Sequence, residues 1–286
     1  LSIFSLFKDR QGTIWVGSYY GGVNYFNPNK NSYFNYDYQA SVGYDNYFSY
    51  IRSIVKDKHG RLWIGTDGGG ISCINKQWQR VKHFTVDDKN SISHNNIKSL
   101  CYDEENDKLY VGMYLGGFNC IDVKTGAVKK YYSKDGGNKL YPSDVVYNLR
   151  KWKNYIILSS RKGIFKFDVS TEEFTSLPAM PDYCEFFDVD EKGMFYGYSS
   201  QYLITYSLLN PKHVEKIDLR EHGVKAAVSS LLANKGNVYL TTLGGGLLCW
   251  NTREHKLFSQ TTENSNIFSD YCYNIQFINS DKAILI

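Results

Sequence analysis

Proline is scarce in this chain, at five of 286 residues, methionine scarcer at three, and no stretch approaches the ~20 apolar residues of a membrane span. The apolar opening, residues 1–7, is too short for a signal peptide and lacks its basic flank. Neither sign of charge dominates. The 33 basic and 29 acidic side chains leave only +4, a balance that gives nucleic-acid binding no support. The six cysteines (Cys73, Cys101, Cys120, Cys184, Cys249, Cys272) include no Cys-x-x-Cys pair and no His spacing suited to zinc. Also missing are a Gly-x-Ser-x-Gly elbow, a His-Glu-x-x-His helix motif and a Gly-x-x-x-x-Gly-Lys loop. No cofactor or metal is expected, and no linear catalytic motif is present.

What the chain has is a phrase that it repeats. Lys56-Asp57-Lys58-His59-Gly60-Arg61-Leu62-Trp63-Ile64-Gly65-Thr66-Asp67-Gly68-Gly69-Gly70-Ile71 restates residues 8–23, Lys-Asp-Arg-Gln-Gly-Thr-Ile-Trp-Val-Gly-Ser-Tyr-Tyr-Gly-Gly-Val. Fainter copies centre on Tyr110, Ile157, Phe195, Tyr239 and Ile284, so that these anchors, with Trp15 and Trp63, recur every 38 to 48 residues. Roughly 40–50 residues is the period of a four-stranded propeller blade. A helical repeat of that length would need apolar residues at helical spacing, whereas these units are short β-branched and aromatic runs punctuated by Gly, Asn and Asp. Cys73, Cys120 and Cys249 each lie three residues past the last Gly of a copy, hence at one strand position, and read as buried free thiols.

In the second copy, residues 51–55 alternate as a strand, 57–60 turn, 61–66 form a second strand, 67–70 turn again, and strands follow at 71–75 and 80–85. Such a sheet buries its faces only by stacking on neighbours around an axis. The expected fold is all-β: a seven-bladed propeller of four-stranded antiparallel blades in one domain, with blades near 1–41, 42–89, 90–137, 138–180, 181–222 and 223–266. A truncated seventh is expected over 267–286, because Ser269-Asp270-Tyr271-Cys272-Tyr273-Asn274-Ile275 echoes residues 143–149. Ile286 falls mid-phrase, which points to a piece of a longer protein.

Antiparallel order places the second-to-third turns and the links into each first strand on one face. Those loops vary between copies, while the first-to-second turns keep Asp-x-x-Gly, so the ligand is assigned to the variable face. Tyr19, Tyr20, Tyr114 and Tyr202 offer aromatic faces there, and Asp67, Arg161 and Lys162 offer planar or charged groups for hydroxyls, a uronate or a sulfate. The plainer reading of each is local packing or a solvated turn. Trp15 and Trp63 sit inside strands and are core. Residues 103–107, Asp-Glu-Glu-Asn-Asp, resemble a calcium loop in composition but not in ligand order.

The pattern Asp-x-x-Gly-x-Leu-Trp-Ile-Gly-Thr-x-x-Gly-Gly-Ile over 57–71, followed by residues 90–100, Asn-Ser-Ile-Ser-His-Asn-Asn-Ile-Lys-Ser-Leu, resembles the two-component regulator propeller repeat. That repeat builds the periplasmic sensor region of hybrid two-component histidine kinase/response regulators of Bacteroidota. The resemblance spans nearly the whole chain, although the later units lose the Trp, and Ser159 and Thr241 replace the Gly of Trp-x-Gly. It implies an extracytoplasmic, non-catalytic region of an inner-membrane-anchored protein that binds an oligosaccharide and regulates a histidine kinase controlling glycan-utilisation genes. Its implied partners are the oligosaccharide, a second propeller and C-terminal sensor and kinase domains of the same chain, and a second copy in a homodimer. The repeat is scaffold and transfers no ligand residues. A protein-interaction propeller and a polysaccharide-degrading propeller enzyme remain the alternatives.

Overall fold

The computed structural model describes residues 3–18, 22–27, 32–36, 50–131, 143–178, 184, 186–279 and 282–286, with the backbone alone for residues 4 and 32–36. Six four-stranded antiparallel sheets follow one another over 3–36, 50–84, 97–131, 146–176, 186–218 and 227–260, each with its strands in chain order. The second blade is representative, with strands Tyr50–Lys56, Leu62–Asp67, Ile71–Ile74 and Arg80–Phe84. Among the described residues the one helical element is the four-residue 3-10 turn Leu219–His222.

The expectation of seven blades is corrected: the described residues form six four-stranded blades. Beyond the sixth lies a two-stranded sheet, Ile275–Phe277 paired with Ala283–Leu285 over three residue pairs. Residues 269–275 echo only a link and the start of a first strand, and two paired strands of three residues are not a four-stranded blade. The chain divides into two compact units, Leu1–Ser176 with four blades and Leu177–Ile286 with two blades and the short sheet.

The repeated phrase is legible as local chemistry. Asp57 Oδ1 accepts from the backbone N–H of His59 and Arg61, closing the first-to-second turn, while its Oδ2 accepts from the Trp63 indole Nε1 at 2.8 Å. Asp9 does the same for Gln11, Thr13 and Trp15, and Asp190 for Lys192, Met194 and the Tyr196 hydroxyl. One carboxylate thus ties a turn to the aromatic core residue six positions on. The fifth-blade aromatic equivalent to Trp63 is therefore Tyr196. Phe195, the anchor expected from the sequence, points to the other face and stacks on Phe187 and Tyr206; a step of one residue along a strand exchanges its faces.

Packing between blades accounts for the Gly of Trp-x-Gly. A Cβ on Gly65 would stand 2.5 Å from Ile97 Cγ2, on Gly17 2.6 Å from Ile51 Cγ2, and on Gly112 2.8 Å from Val146 Cγ1. In these three blades the second strand lies that close to the first strand of the next. In the sixth blade Thr241 takes this position, and its hydroxyl meets Ser229 and Ser230 at 2.8 and 2.7 Å instead of a β-branched side chain. The six cysteines are free, and all but the half-buried Cys249 are buried. Burial pushes the Cys73 thiol up to about 12 and Cys101 up to about 11, as expected for thiols that serve as small apolar fillers.

Neighbouring blades also share charge. Lys56 ends the first strand of the second blade, and its Nζ lies 2.7 Å from Asp9 Oδ2 of the first; Lys151 stands in the same relation to Asp103, at 3.1 Å. Asp103 Oδ1 is buried without a hydrogen bond of good geometry, so the Lys151 ammonium satisfies it by charge. For Asp9, burial alone would raise the carboxyl pKa, but Lys56, the Trp15 indole and the Thr13 N–H together hold it below its ordinary value. A depressed folded-state value contributes stability above the unfolded carboxylate pKa of about 4, and that stability is lost as pH falls through the lower folded value. Lys56→Met is therefore expected to cost about 3 kcal/mol at pH 7. In urea titrations the gap from the parent protein should narrow below about pH 4; a gap independent of pH would contradict the pairing.

Candidate ligand-binding face

The variable turns are anchored by a repeated hydroxyl. Thr66 Oγ1 donates to the Gly70 carbonyl at 3.0 Å, and Ser18, Ser160 and Thr242 make the same bond to Gly22, Gly163 and Gly246. Each turn then holds the link into the next blade. Gly68 and Gly70 N–H groups both donate to the Asn95 carbonyl, Gly117 N–H to Asp144, and Gly244 and Gly246 N–H groups to Asp270. Turn and link form one hydrogen-bonded edge, which is a rigid frame for side chains.

Two side-chain positions recur on that edge. The first follows the anchor of each second strand by four residues and is filled by Asp67, Tyr114, Arg161 and Leu243. By the same spacing Tyr19 occupies it in the first blade, but Tyr19 and Tyr20 lie outside the described residues. The second is a β-bulge in the first strand, where pairing skips one residue between Ile51 and Ser53, Ile97 and Ser99, Val146 and Asn148, and Val228 and Ser230. The skipped residues are Arg52, Lys98, Tyr147 and Ser229. A bulge re-aims the unpaired side chain, and here it does so at the same strand position in the second, third, fourth and sixth blades. The bulge escapes a reading based on alternation, although the Ile-x-Ser of residues 51–53 and 97–99 marks it.

The structure brings these positions together in the first unit. Arg52 grips Asp67 Oδ2 through Nη2 at 3.0 Å and Nε at 3.3 Å. At the equivalent places in the third blade the Lys98 ammonium stands over the Tyr114 ring, 5.5 Å from its centre. The Asn96 carbonyl accepts from Tyr114 N–H, and the Val145 carbonyl accepts from Arg161 N–H, so both strand ends are locked to their links. Arg161 Nη1 lies 4.0 Å from Asp144 Oδ1, with both side chains 54% exposed, a weak pair. Lys162 N–H donates to Ser160 Oγ, placing its side chain at the exposed tip of the turn.

Tyr202 belongs to the second unit and falls outside the pattern. The Arg220 guanidinium lies 5.7 Å from its ring centre and donates to its hydroxyl at 3.3 Å, while Asp218 takes Arg220 at 2.6 Å. The Arg220 bonds hold the Asp218 carboxyl below its ordinary range. Tyr202 is thus engaged in local packing. On the corresponding edge of this unit are aromatics not singled out from the sequence: Phe268 is fully exposed, Tyr271 63% and Tyr273 47%. Tyr271 N–H donates to Ser269 Oγ, as Val145 N–H does to Ser143, which is the physical content of the echo between the two links.

The turn at residues 103–107, acidic in composition, is occupied by its own protein partners. Asn106 Nδ2 donates to Asp103, the Tyr102 hydroxyl to Asp107 at 2.7 Å, and His59 Nε2 meets Asp107 at 2.9 Å. No group of three or more His, Cys, Asp or Glu suited to a metal occurs among the described residues, and none of their helices is long and apolar enough to cross a membrane.

The family described as two component regulator propeller matches residues 1–20 and 48–68, the stretches that hold the first strands, the Asp turns and both tryptophans. Over those two stretches the chain is similar to the two component regulator propeller repeat. No curated protein matches it. Among solved structures, the extracellular domain of the putative hybrid two component system BT4673 from B. thetaiotaomicron superposes with a TM-score of 0.75 at 19% identity, over 96% of this chain and 38% of that one. The corresponding domain of BT3049 from the same organism gives 0.74 at 15%, over 96% and 37%. PorZ of Porphyromonas gingivalis, described as a surface component of the type-IX secretion system, gives 0.73 at 14%, over 96% and 43%. At these identities the likeness is one of fold, and the chain spans less than half the length of each neighbour. Of the strand-end and bulge positions discussed above, the matched stretches include Tyr19, Arg52 and Asp67 and leave out Lys98, Tyr114, Tyr147 and Arg161.

Proposed function

We propose that this chain is part of the periplasmic sensor region of a membrane-anchored hybrid two-component protein, and that its turn-and-link face binds an oligosaccharide. The observation that carries the reading is the placement of aromatic and charged side chains at two repeated positions on a hydrogen-bonded edge. Tyrosine rings pack against the C–H faces of sugars, and planar charged groups pair with hydroxyls. The regulator-propeller match and the fold shared with two hybrid-system extracellular domains support the sensor role. In this reading a second propeller and C-terminal sensor and kinase domains complete the protein, a homodimer transmits the change, and glycan-utilisation genes respond. A ligand biases such a switch only through its difference in affinity between two states, and a coupling of about 1–3 kcal/mol suffices.

Titration calorimetry of the full sensor region against a panel of neutral and acidic oligosaccharides is expected to give saturable binding with no change in the sugar. Silence across the panel would contradict the reading. The protein-interaction alternative has one observation in its favour, the fully exposed Phe268 beside Tyr271. A protein partner retained on immobilised sensor region, with every glycan silent, would favour it.

A further inference from the structure

The two repeated positions change their chemistry from blade to blade, and the change leaves a lysine without an ion pair among the described residues. In the second blade the bulge and strand-end positions hold Arg52 and Asp67, an internally neutral pair at 3.0 Å. In the third they hold Lys98 and Tyr114, with a ring where the carboxylate was. In the fourth the types are exchanged, with Tyr147 at the bulge and Arg161 at the strand end. Lys98 is half-buried, and among the described residues it forms no ion pair. Among the described residues Arg161 pairs with the exposed Asp144 alone, at 4.0 Å.

The blades that carry these groups are in register. Ser99 Oγ, next to Lys98, accepts from Leu149 N–H at 3.2 Å, which fixes the bulge of the third blade beside that of the fourth. The Gly117 N–H bond to the Asp144 carbonyl fixes the turn after Tyr114 to the link before Arg161. Two cations and two tyrosine side chains are therefore held on one edge by backbone bonds. A half-buried ammonium with no counterion costs solvation that a bound anion restores, and a tyrosine hydroxyl adds a donor to that anion. A guanidinium contributes a fork that matches a carboxylate or sulfate. An uncharged sugar would leave the excess charge unused.

We propose that Lys98 and Tyr114, with Arg161 beside them, receive an anionic group of the saccharide: the carboxylate of a uronic acid or a sulfate ester. The proposal rests on the oligosaccharide-sensing reading above and narrows it to an acidic glycan. Arg52 is reserved for Asp67 and positions the neighbouring turn.

The test uses the full sensor region with three probes: an oligogalacturonate for carboxylate, a heparin-derived oligosaccharide for sulfate with carboxylate, and a neutral xylo-oligosaccharide. Binding of at least one acidic probe is expected, with affinity falling as salt is raised from about 0.05 to 0.3 M. Lys98→Gln should weaken it about tenfold or more, Lys98→Arg should retain most of it, and Lys58→Gln in a first-to-second turn should leave it unchanged. The oligogalacturonate separates a carboxylate site from one that requires sulfate. Binding of the neutral probe alone, or acidic binding indifferent to Lys98→Gln in a protein that melts like the parent, would overturn this inference and leave the sensor reading standing. No binding of any probe would overturn both.

Discussion

Trp63→Ala is expected to destabilise the first unit by about 3–5 kcal/mol in urea unfolding. The indole is fully buried and packs with Ile71, Cys73 and Phe84 of its own blade and with Ile97, Leu100, Leu109 and Val111 of the next. Truncation opens a cavity at the contact between two blades and also removes the Nε1 bond that ties the strand to the Asp57 turn at 2.8 Å. Trp63→Phe separates the two effects. It keeps most of the apolar volume and loses the N–H donor, and because Asp57 Oδ2 retains Arg61 at 2.7 Å its cost should be only about 1–2 kcal/mol. Equal losses for the two variants would show that the indole's volume is not what joins the blades.

Gly70→Ala and Gly246→Ala should be nearly as damaging, at about 3 kcal/mol each, and each in a different unit. These glycines have φ of 71° and 73°, a region that costs an L residue about 1–2 kcal/mol. An added Cβ would also run into the carbonyl oxygen of Phe84 or Gln260, which is backbone and cannot swing aside. The turns so disturbed are those that hold Asn95 and Asp270. Gly12→Ala provides the contrast, since its φ is 80° but nothing lies within 4 Å of the added atom. Its cost should stay near 1 kcal/mol, and a Gly12 effect as large as that at Gly70 would refute the steric account.

Much of this was visible in the letters of the chain because each repeated residue has one local task. Asp57 closes a turn and binds Trp63, Gly65 admits Ile97, and Gly70 bends where no side chain fits. Such tasks act within a few residues or between fixed neighbours, so they recur as a phrase. The blade count was less legible. Residues 269–275 reproduce the link of the fourth blade down to the bond from Tyr271 N–H to Ser269 Oγ, but a link says nothing about how many strands follow, and two short ones do. The candidate site is legible in part. Asp67, Tyr114 and Arg161 read as variable turn residues, and their shared place four positions past the anchor lies in the spacing. Their partners Arg52, Lys98 and Tyr147 were hidden by the bulge, which breaks the alternation used to sort faces. Tyr202 reads the same way from the sequence, and the structure places the Arg220 guanidinium over its ring. The Phe195 anchor failed by one residue because Gly197 mimics the Gly of Trp-x-Gly while lying one step out of its register.

In the proposed reading the recurring positions let one scaffold serve different ligands. The bonds that build the edge run between backbone groups and the hydroxyls of Ser18, Thr66, Ser160 and Thr242, and none of them uses the side chains of Lys98, Tyr114 or Arg161. Substituting these three is expected to change recognition at little cost to the fold. Surface changes of this kind are usually within about 0.5 kcal/mol.

Hydroxyl-radical footprinting of the full sensor region, with and without a saturating oligosaccharide, tests most directly whether the variable face is the binding face. The account predicts protection at Tyr114, its flanking turn and the link at residues 93–97, with unchanged oxidation at the opposite turns around His59 and residues 103–107. Protection confined to the Asp turns, with Tyr114 oxidised at the same rate in both states, would contradict it.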